Sequence, residues 1–246
     1  MILPVYLYGH PVLRKMAEPI SADYPKLQEL IANMWETMYH SEGVGLAAPQ
    51  VGLSIKLAVI DGSPVAESFP ECADSKMVMI NPELEVIEDV EAMSRDEGCL
   101  SLPGVSETVK RTEHIRLRWM DENFEEHEKE FTGFLSRIIQ HEYDHLIGKV
   151  YMDHVSPIRK QLNKAKLKKI VKGKVACDYK VRTAPNKKCY LLITFRNLIE
   201  YYNLWQTIKK LFSRWWVSAR LSHLNDKYLR ISTSHSSMVP KSVSSV

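Results

Sequence analysis

The stretch QHEYDHLIG, residues 140 to 148, constrains this chain more than any other. In a helix, residues i and i+4 lie one above the other on one face, so His141 and His145 could each offer a ring nitrogen to a single ion. Glu142 would project just off that line, within reach of a water held on the ion. Leu135, Ile138, Ile139, Leu146 and Ile147 recur at helical spacing. Thr132 or Ser136 can cap the start and Gly148 can stop it, so a helix is predicted here.

Two histidines leave a metal site short of a ligand. One class of zinc proteases places a third histidine six residues after the second, but Tyr151 stands there. Another takes a glutamate from a later helix, yet the next one after Glu142 is Glu200. Asp153 and His154 are close in sequence but at no familiar spacing. Upstream, RDEGCLSLPG (residues 95 to 104) sets Cys99 beside a glycine that would let the backbone approach an ion closely. Alone, Cys99 reads as a small buried hydrophobe. Beside the histidine helix it completes a Cys-His-His set with one position left for water, the coordination of a catalytic rather than a structural site.

A third stretch, GVGLAAPQVG (residues 43 to 52), follows an amphipathic helix predicted from about Pro25 to Tyr39, with Leu27, Leu30, Ile31, Met34, Trp35 and Met38 on its apolar side. GVGLAAPQ, EGCLSLP and QHEYDH, in that order, are the three motifs of the peptide deformylases, which this chain closely resembles over about residues 1 to 180. The opening YGHPVLRKMAEPI is similar to that family's amino-terminal segment as well.

The resemblance implies removal of the formyl group from the initiator methionine of nascent bacterial polypeptides. It implies Cys99, His141 and His145 as ligands of one divalent metal ion, with Fe2+ native and Zn2+, Ni2+ or Co2+ as alternatives. A metal-bound hydroxide would attack the formyl carbon, with Glu142 as general base and then general acid. The amide of Gln50 and the backbone N–H of Leu100 would stabilise the oxyanion. Backbone at Gly45 would hold the substrate as an added strand, Val44, Ile138 and His141 would wall the methionine pocket, and Glu97 and Arg137 would lie at its edge. Arg111 and Asp144 read either as a pair supporting the metal site or as an ordinary surface ion pair. A metallopeptidase and a catalytically idle ribosome-binding module are the competing classes; the first lacks its downstream ligand and the second leaves a full set of catalytic positions unexplained.

Extended stretches at KLAVID (56 to 61), MVMINPELEVIED (77 to 89), HIRLRWMD (114 to 121) and EEHEKEF (125 to 131) precede the histidine helix. The fold class is therefore read as α+β, mostly antiparallel strands around a central helix carrying the HExxH motif. The four cysteines, Cys72, Cys99, Cys177 and Cys189, show no close pairs and read as reduced thiols. The opening MILPVYLYGHP lacks the basic and apolar regions of a leader and no run approaches a membrane span, so a bacterial cytoplasmic location is expected.

Charge divides the chain. Residues 1 to 155 hold 13 Lys and Arg against 27 Asp and Glu, whereas residues 156 to 246 hold 20 against 3. The segment IRKQLNKAKLKKIVKGK (158 to 174) reads as a basic helix, either a solvated face or a contact for a polyanion, and the resemblance points to the ribosome; specific DNA binding is not expected. Domain limits are set at 1 to 182 for the catalytic domain and 183 to 246 for an extension outside the resemblance. That extension reads either as an added interaction or membrane-surface helix anchored by Trp215 and Trp216, or as a read-through or frame-altered tail; its serine-rich end reads as unstructured.

Overall fold

A computed structural model of the chain describes residues 1–185. The expectations for the extension and for Cys189 fall, from residue 186 on, outside the described residues. In chain order the elements are β1 (Val5–Tyr6), α1 (Leu27–His40), β2 (Gly45–Ala47), β3 (Leu57–Ile60), β4 (Met77–Val86), β5 (Met93–Gly98), β6 (Ser106–Arg111), β7 (His114–Met120), β8 (Glu126–Thr132), α2 (Gly133–Leu146), α3 (Pro157–Val171) and β9 (Val181–Arg182). Five strands form one antiparallel sheet in the order β2-β3-β4-β7-β8. Strands β5 and β6 form a separate antiparallel hairpin, and β1 pairs in parallel with β9. This is a mixed α/β architecture with antiparallel sheets.

Successive side chains of a strand leave on opposite faces, and β3 shows what that does to the core. Its Leu57 and Val59 pack with Leu27, Ile31, Met34 and Met38 of α1. Its Ala58 and Ile60 pack with Leu135, Ile138, Ile139 and Leu146 of α2. The sheet is therefore covered by a helix on each face, and a strand apolar at every position results. A third cluster joins Leu7, Leu102, Val105, Val109, Tyr151, Met152 and Ile170, tying the β5–β6 hairpin to α3 and the amino terminus.

All three expected helices form, with shifted ends; the basic one, α3, stops at Val171 rather than at residue 174. Helix α1 begins at Leu27 rather than near Pro25, because Lys26 takes the left-handed conformation (φ +56°) and breaks the run. Helix α2 begins at Gly133 after Thr132, but no Thr132 side-chain cap forms; the Glu71 carboxylate accepts the Phe134 N–H instead, at 2.8 Å. Gly148 follows its end with φ +73°, where an added Cβ would stand 2.9 Å from the Arg14 carbonyl oxygen. The strands at 57, 77, 114 and 126 lie where expected, whereas β1, β2, β5, β6 and β9 were not marked out as separate strands by their sequence.

The chain does not stop at α3. Gly173, at φ +66°, turns it back, Val175 and Val181 join the third cluster, and β9 lies on β1 with Val5 N–H donating to the Lys180 carbonyl at 2.8 Å. Tyr179 Oη donates to the Leu100 carbonyl at 2.8 Å. A chain ended after Arg182 keeps these contacts and one ended after Gly173 loses them, at about 1–3 kcal/mol. Scanning calorimetry should find the shorter chain melting several degrees lower; equal melting temperatures would show that the returning segment adds no stability.

Candidate active site

Cys99 sits immediately after β5, in a tight loop closed by Leu102 N–H on the Cys99 carbonyl (2.8 Å) and by Val105 N–H on the Leu102 carbonyl (3.2 Å). Helix α2 brings His141 and His145 beside it. One ligand atom from each of Cys99, His141 and His145 lies within 4.8 Å of the others, and His145 Nε2 is 3.3 Å from Cys99 Sγ. His141 Nδ1 meets the Glu97 carboxylate at 3.0 Å, which leaves Nε2 for an ion. Among the described residues Asp121, Glu125 and His127 are also mutually close, but they lie where β7 turns into β8, and Asp121 is already engaged by His127 Nε2 at 3.0 Å and by the backbone N–H groups of Asn123 and Glu125. The Cys-His-His set fits a metal ion by its donors and by the orientation Glu97 imposes.

Two carboxylates flank the histidines in opposite environments. Glu97 is buried, and although burial alone would raise its carboxyl, His141 and Arg111 hold it well below the usual carboxylate range. Glu142 is equally buried, but its Oε2 has no hydrogen-bond partner; burial lifts the carboxyl to about 7 against the pull of His141 and His145. Burial would also raise the Cys99 thiol, yet the adjacent imidazoles of His145 and His141 outweigh it and bring the thiol down to about 5.

Glu142 leans over β2. An added Cβ on Gly45 would stand 2.7 Å from the Glu142 carboxyl carbon, so glycine is required there. Gln50 is oriented just as firmly: Ala47 N–H donates to its Oε1 at 2.8 Å, so its amide NH2 must face the thiolate, 3.4 Å from Cys99 Sγ and 3.4 Å from Ser101 Oγ. A cleft of about 710 Å³ opens over these groups, walled by Val44, Gly45, Gln50, Leu100, Ile138 and Phe134 among others. Phe134 was not anticipated from the sequence; its ring stacks on Phe69 at 4.0 Å.

Most of the expected site residues line this cleft, and the fully buried His145 lies behind it against Cys99; Glu97 and Arg137 do more than edge it. Arg137 Nη1 donates to Glu97 Oε1, and its Nε to Glu113 Oε1, both at 2.8 Å; it also donates to the carbonyls of Val109 and Met93. Arg111 donates to both oxygens of Glu97, at 2.7 and 3.0 Å, and meets Asp144 at 2.8 Å. Asp144 in turn meets His154 Nε2 at 2.9 Å. The Arg111–Asp144 pair is buried and in line with His141, not a surface pair. Arg95, Glu113 and His154 complete the chain of charges, and no periodicity in the sequence marks them.

Residues 2–161 match the family model described as polypeptide deformylase. A peptide deformylase of Christiangramia forsetii is 48% identical over 195 residues, covering 76% of this chain and 98% of its own. One from Salinibacter ruber is 46% identical over 187 residues, covering 74% and 95%. Among solved structures, a peptide deformylase from Legionella pneumophila superposes with a TM-score of 0.61 at 34% identity, covering 71% of this chain and 98% of its own. That from Thermotoga maritima gives 0.57 at 37% identity, covering 64% and 99%.

Removing one partner from a buried charge network leaves an uncompensated charge. Arg111→Met would leave Glu97 with only Arg137 and His141 and Asp144 with only His154, a loss of about 3 kcal/mol. Denaturant unfolding should report that loss at neutral pH; a change below about 1 kcal/mol would mean that solvent already screens the network.

Proposed function

The chain belongs to the polypeptide deformylase family and removes the formyl group from nascent peptides, and within that activity we propose that Cys99, His141 and His145 hold one divalent metal ion while Glu142 moves the proton. The observation that carries this reading is the thiol of Cys99 standing against two imidazoles of one helix, beside a buried carboxylate without a partner. Helix α2 is thus read as the central helix bearing the metal motif. A thiolate with two imidazoles suits Fe2+, Zn2+, Ni2+ or Co2+, and Fe2+ is proposed as the native ion. When bound, the ion polarises the formyl oxygen and makes a water acidic near neutral pH.

The side chains divide the remaining work. Glu142 takes the water's proton and later delivers it to the departing amine, a role its raised carboxyl suits. The Gln50 amide and the Leu100 N–H donate to the oxygen on which negative charge develops. Strand β2 lies at an edge of the five-stranded sheet, so the substrate backbone can add beside Gly45 without its side chains being read. The methionine side chain enters between Val44, Ile138 and Phe134, with the aliphatic stem of Arg137 and the Glu97 side of His141 behind them.

The substrate is made on ribosomes, and α3 presents Lys164, Lys166, Lys168 and Lys169, all exposed, which we assign to ribosome docking. No described helix is long and apolar enough to cross a membrane. A bacterial cytoplasmic location is proposed from the substrate and from the bacterial relatives.

Formyl-Met-Ala-Ser should release formate, whereas the acetylated and unformylated peptides should stay intact; internal peptide cleavage without formate would point to a peptidase instead. Glu142→Ala should keep its metal content near wild type while formate release falls about a hundredfold or more. Unchanged turnover in that variant would remove Glu142 from proton transfer. Neutralising the four lysines of α3 should reduce co-sedimentation with ribosomes and flatten its salt dependence, and equal binding by the variant would exclude α3 as the contact.

A further inference from the structure

The histidine motif of α2 runs on into a residue that the proposed chemistry does not use. Tyr151 stands six residues after His145, where one class of zinc proteases carries its third histidine. Its side chain is fully buried, in the cluster against which Cys99 packs. Its ring lies nearly parallel to that of His141, with centroids 5.9 Å apart and 22° between the planes. Its hydroxyl is committed elsewhere, donating to the Val105 carbonyl at 2.9 Å.

Those two contacts belong to the two parts of the chain that must meet at the ligand set. Tyr151 is tied closely to the end of α2, because Gly148 turns the chain at φ +73° and Lys149 N–H returns to the Asp144 carbonyl at 2.8 Å. Val105 ends the tight loop that begins at Cys99, its N–H donating to Leu102 while Leu102 N–H donates to Cys99. Arg137 joins α2 to the strands of the β5–β6 hairpin through Glu97 and the carbonyls of Met93 and Val109. Tyr151 joins the far end of α2 to the loop at the tip of that hairpin, the part that carries the thiol.

We propose that Tyr151 is a positioning residue for the metal set: its ring backs His141 while its hydroxyl fixes the Cys99 loop, so that thiolate and imidazoles keep the separation at which one ion is held tightly. This rests on Cys99, His141 and His145 being the ligands. Val105 is buried, so loss of the hydroxyl leaves its carbonyl without this partner and the loop shifts to find another. Removing an outer partner that orients the ligands typically costs about tenfold to a hundredfold in metal affinity.

The test loads wild type, Tyr151→Phe and Tyr151→Leu with Co2+ and compares the thiolate-to-cobalt absorption band and the rate of Co2+ loss to excess chelator. Val155→Ala, which thins the same cluster but leaves both Tyr151 contacts in place, is the control. Tyr151→Phe keeps the ring and should lose Co2+ about tenfold faster or more, with a displaced band. Tyr151→Leu, which loses ring and hydroxyl together, should lose it faster still. Val155→Ala should melt at a lower temperature yet match the wild-type band and rate. Because band position and rate are read from loaded protein alone, a loss of folded protein cancels. A wild-type band and rate in Tyr151→Phe, or an equal change in Val155→Ala, overturns the proposal. A wild type without the band would instead overturn the reading of the ligands themselves.

Discussion

The site depends on a buried chain of alternating charges. Arg95, Glu113, Arg137, Glu97, Arg111 and Asp144 follow one another by ion pairs, three cations against three anions. Burying such groups is expensive, and an apolar core of equal volume would often be as stable. What an apolar core would not supply is position. Cys99 is carried by a hairpin, His141 and His145 by a helix, and the two elements belong to different parts of the chain. Arg137 joins them directly, because its guanidinium rises from α2 and ends on Glu97, on Glu113 and on two hairpin carbonyls. Register between thiol and imidazoles is then set by directional bonds, which apolar packing alone leaves free to slide.

The same network separates the two glutamates into different jobs. Glu97 is surrounded by Arg111, Arg137 and His141 and stays ionised, so it orients a ring and cannot trade protons near neutral pH. Glu142 lies one residue from that ring, yet no arginine reaches it and one oxygen is unpartnered. Its carboxyl is raised chiefly by burial, with Cys99 and Asp144 adding to the rise against the pull of His141 and His145. Environments that push paired carboxylates apart in this way are how one small site holds a fixed charge and a movable proton together.

Sequence patterns carried the elements that bury one face. Helices α1 and α2 were legible from apolar residues at helical spacing, and β7 from HIRLRWM, where Ile115 and Leu117 alternate with Arg116 and Arg118. The closeness of Cys99, His141 and His145 was legible because HExxH spacing and a Gly-Cys pair are chemical signals rather than folding signals. The β5–β6 hairpin was not, since its strands are rich in charge and their buried positions include Glu97, Glu107 and Arg111, which an apolar–polar alternation does not pick out. Ion pairs between distant segments leave no period in the sequence, so Arg95, Glu113 and His154 were invisible as members of the site. The returning strand β9 is two residues long and is specified by its partner β1 rather than by its own pattern.

The charge division of the chain also gains a structural meaning. Helix α3 is fixed to β6 by Glu107, a buried carboxylate that accepts from Arg159 Nε at 2.7 Å and from Asn163 Nδ2. Glu107 pairs across the hairpin with Glu97, the residue that orients His141. The basic helix and Cys99 are therefore tied to one hairpin, and His141 is joined to it through Glu97. Screening confines the field of the exposed α3 lysines to about 10 Å, whereas the buried ion pairs of the hairpin are screened far less.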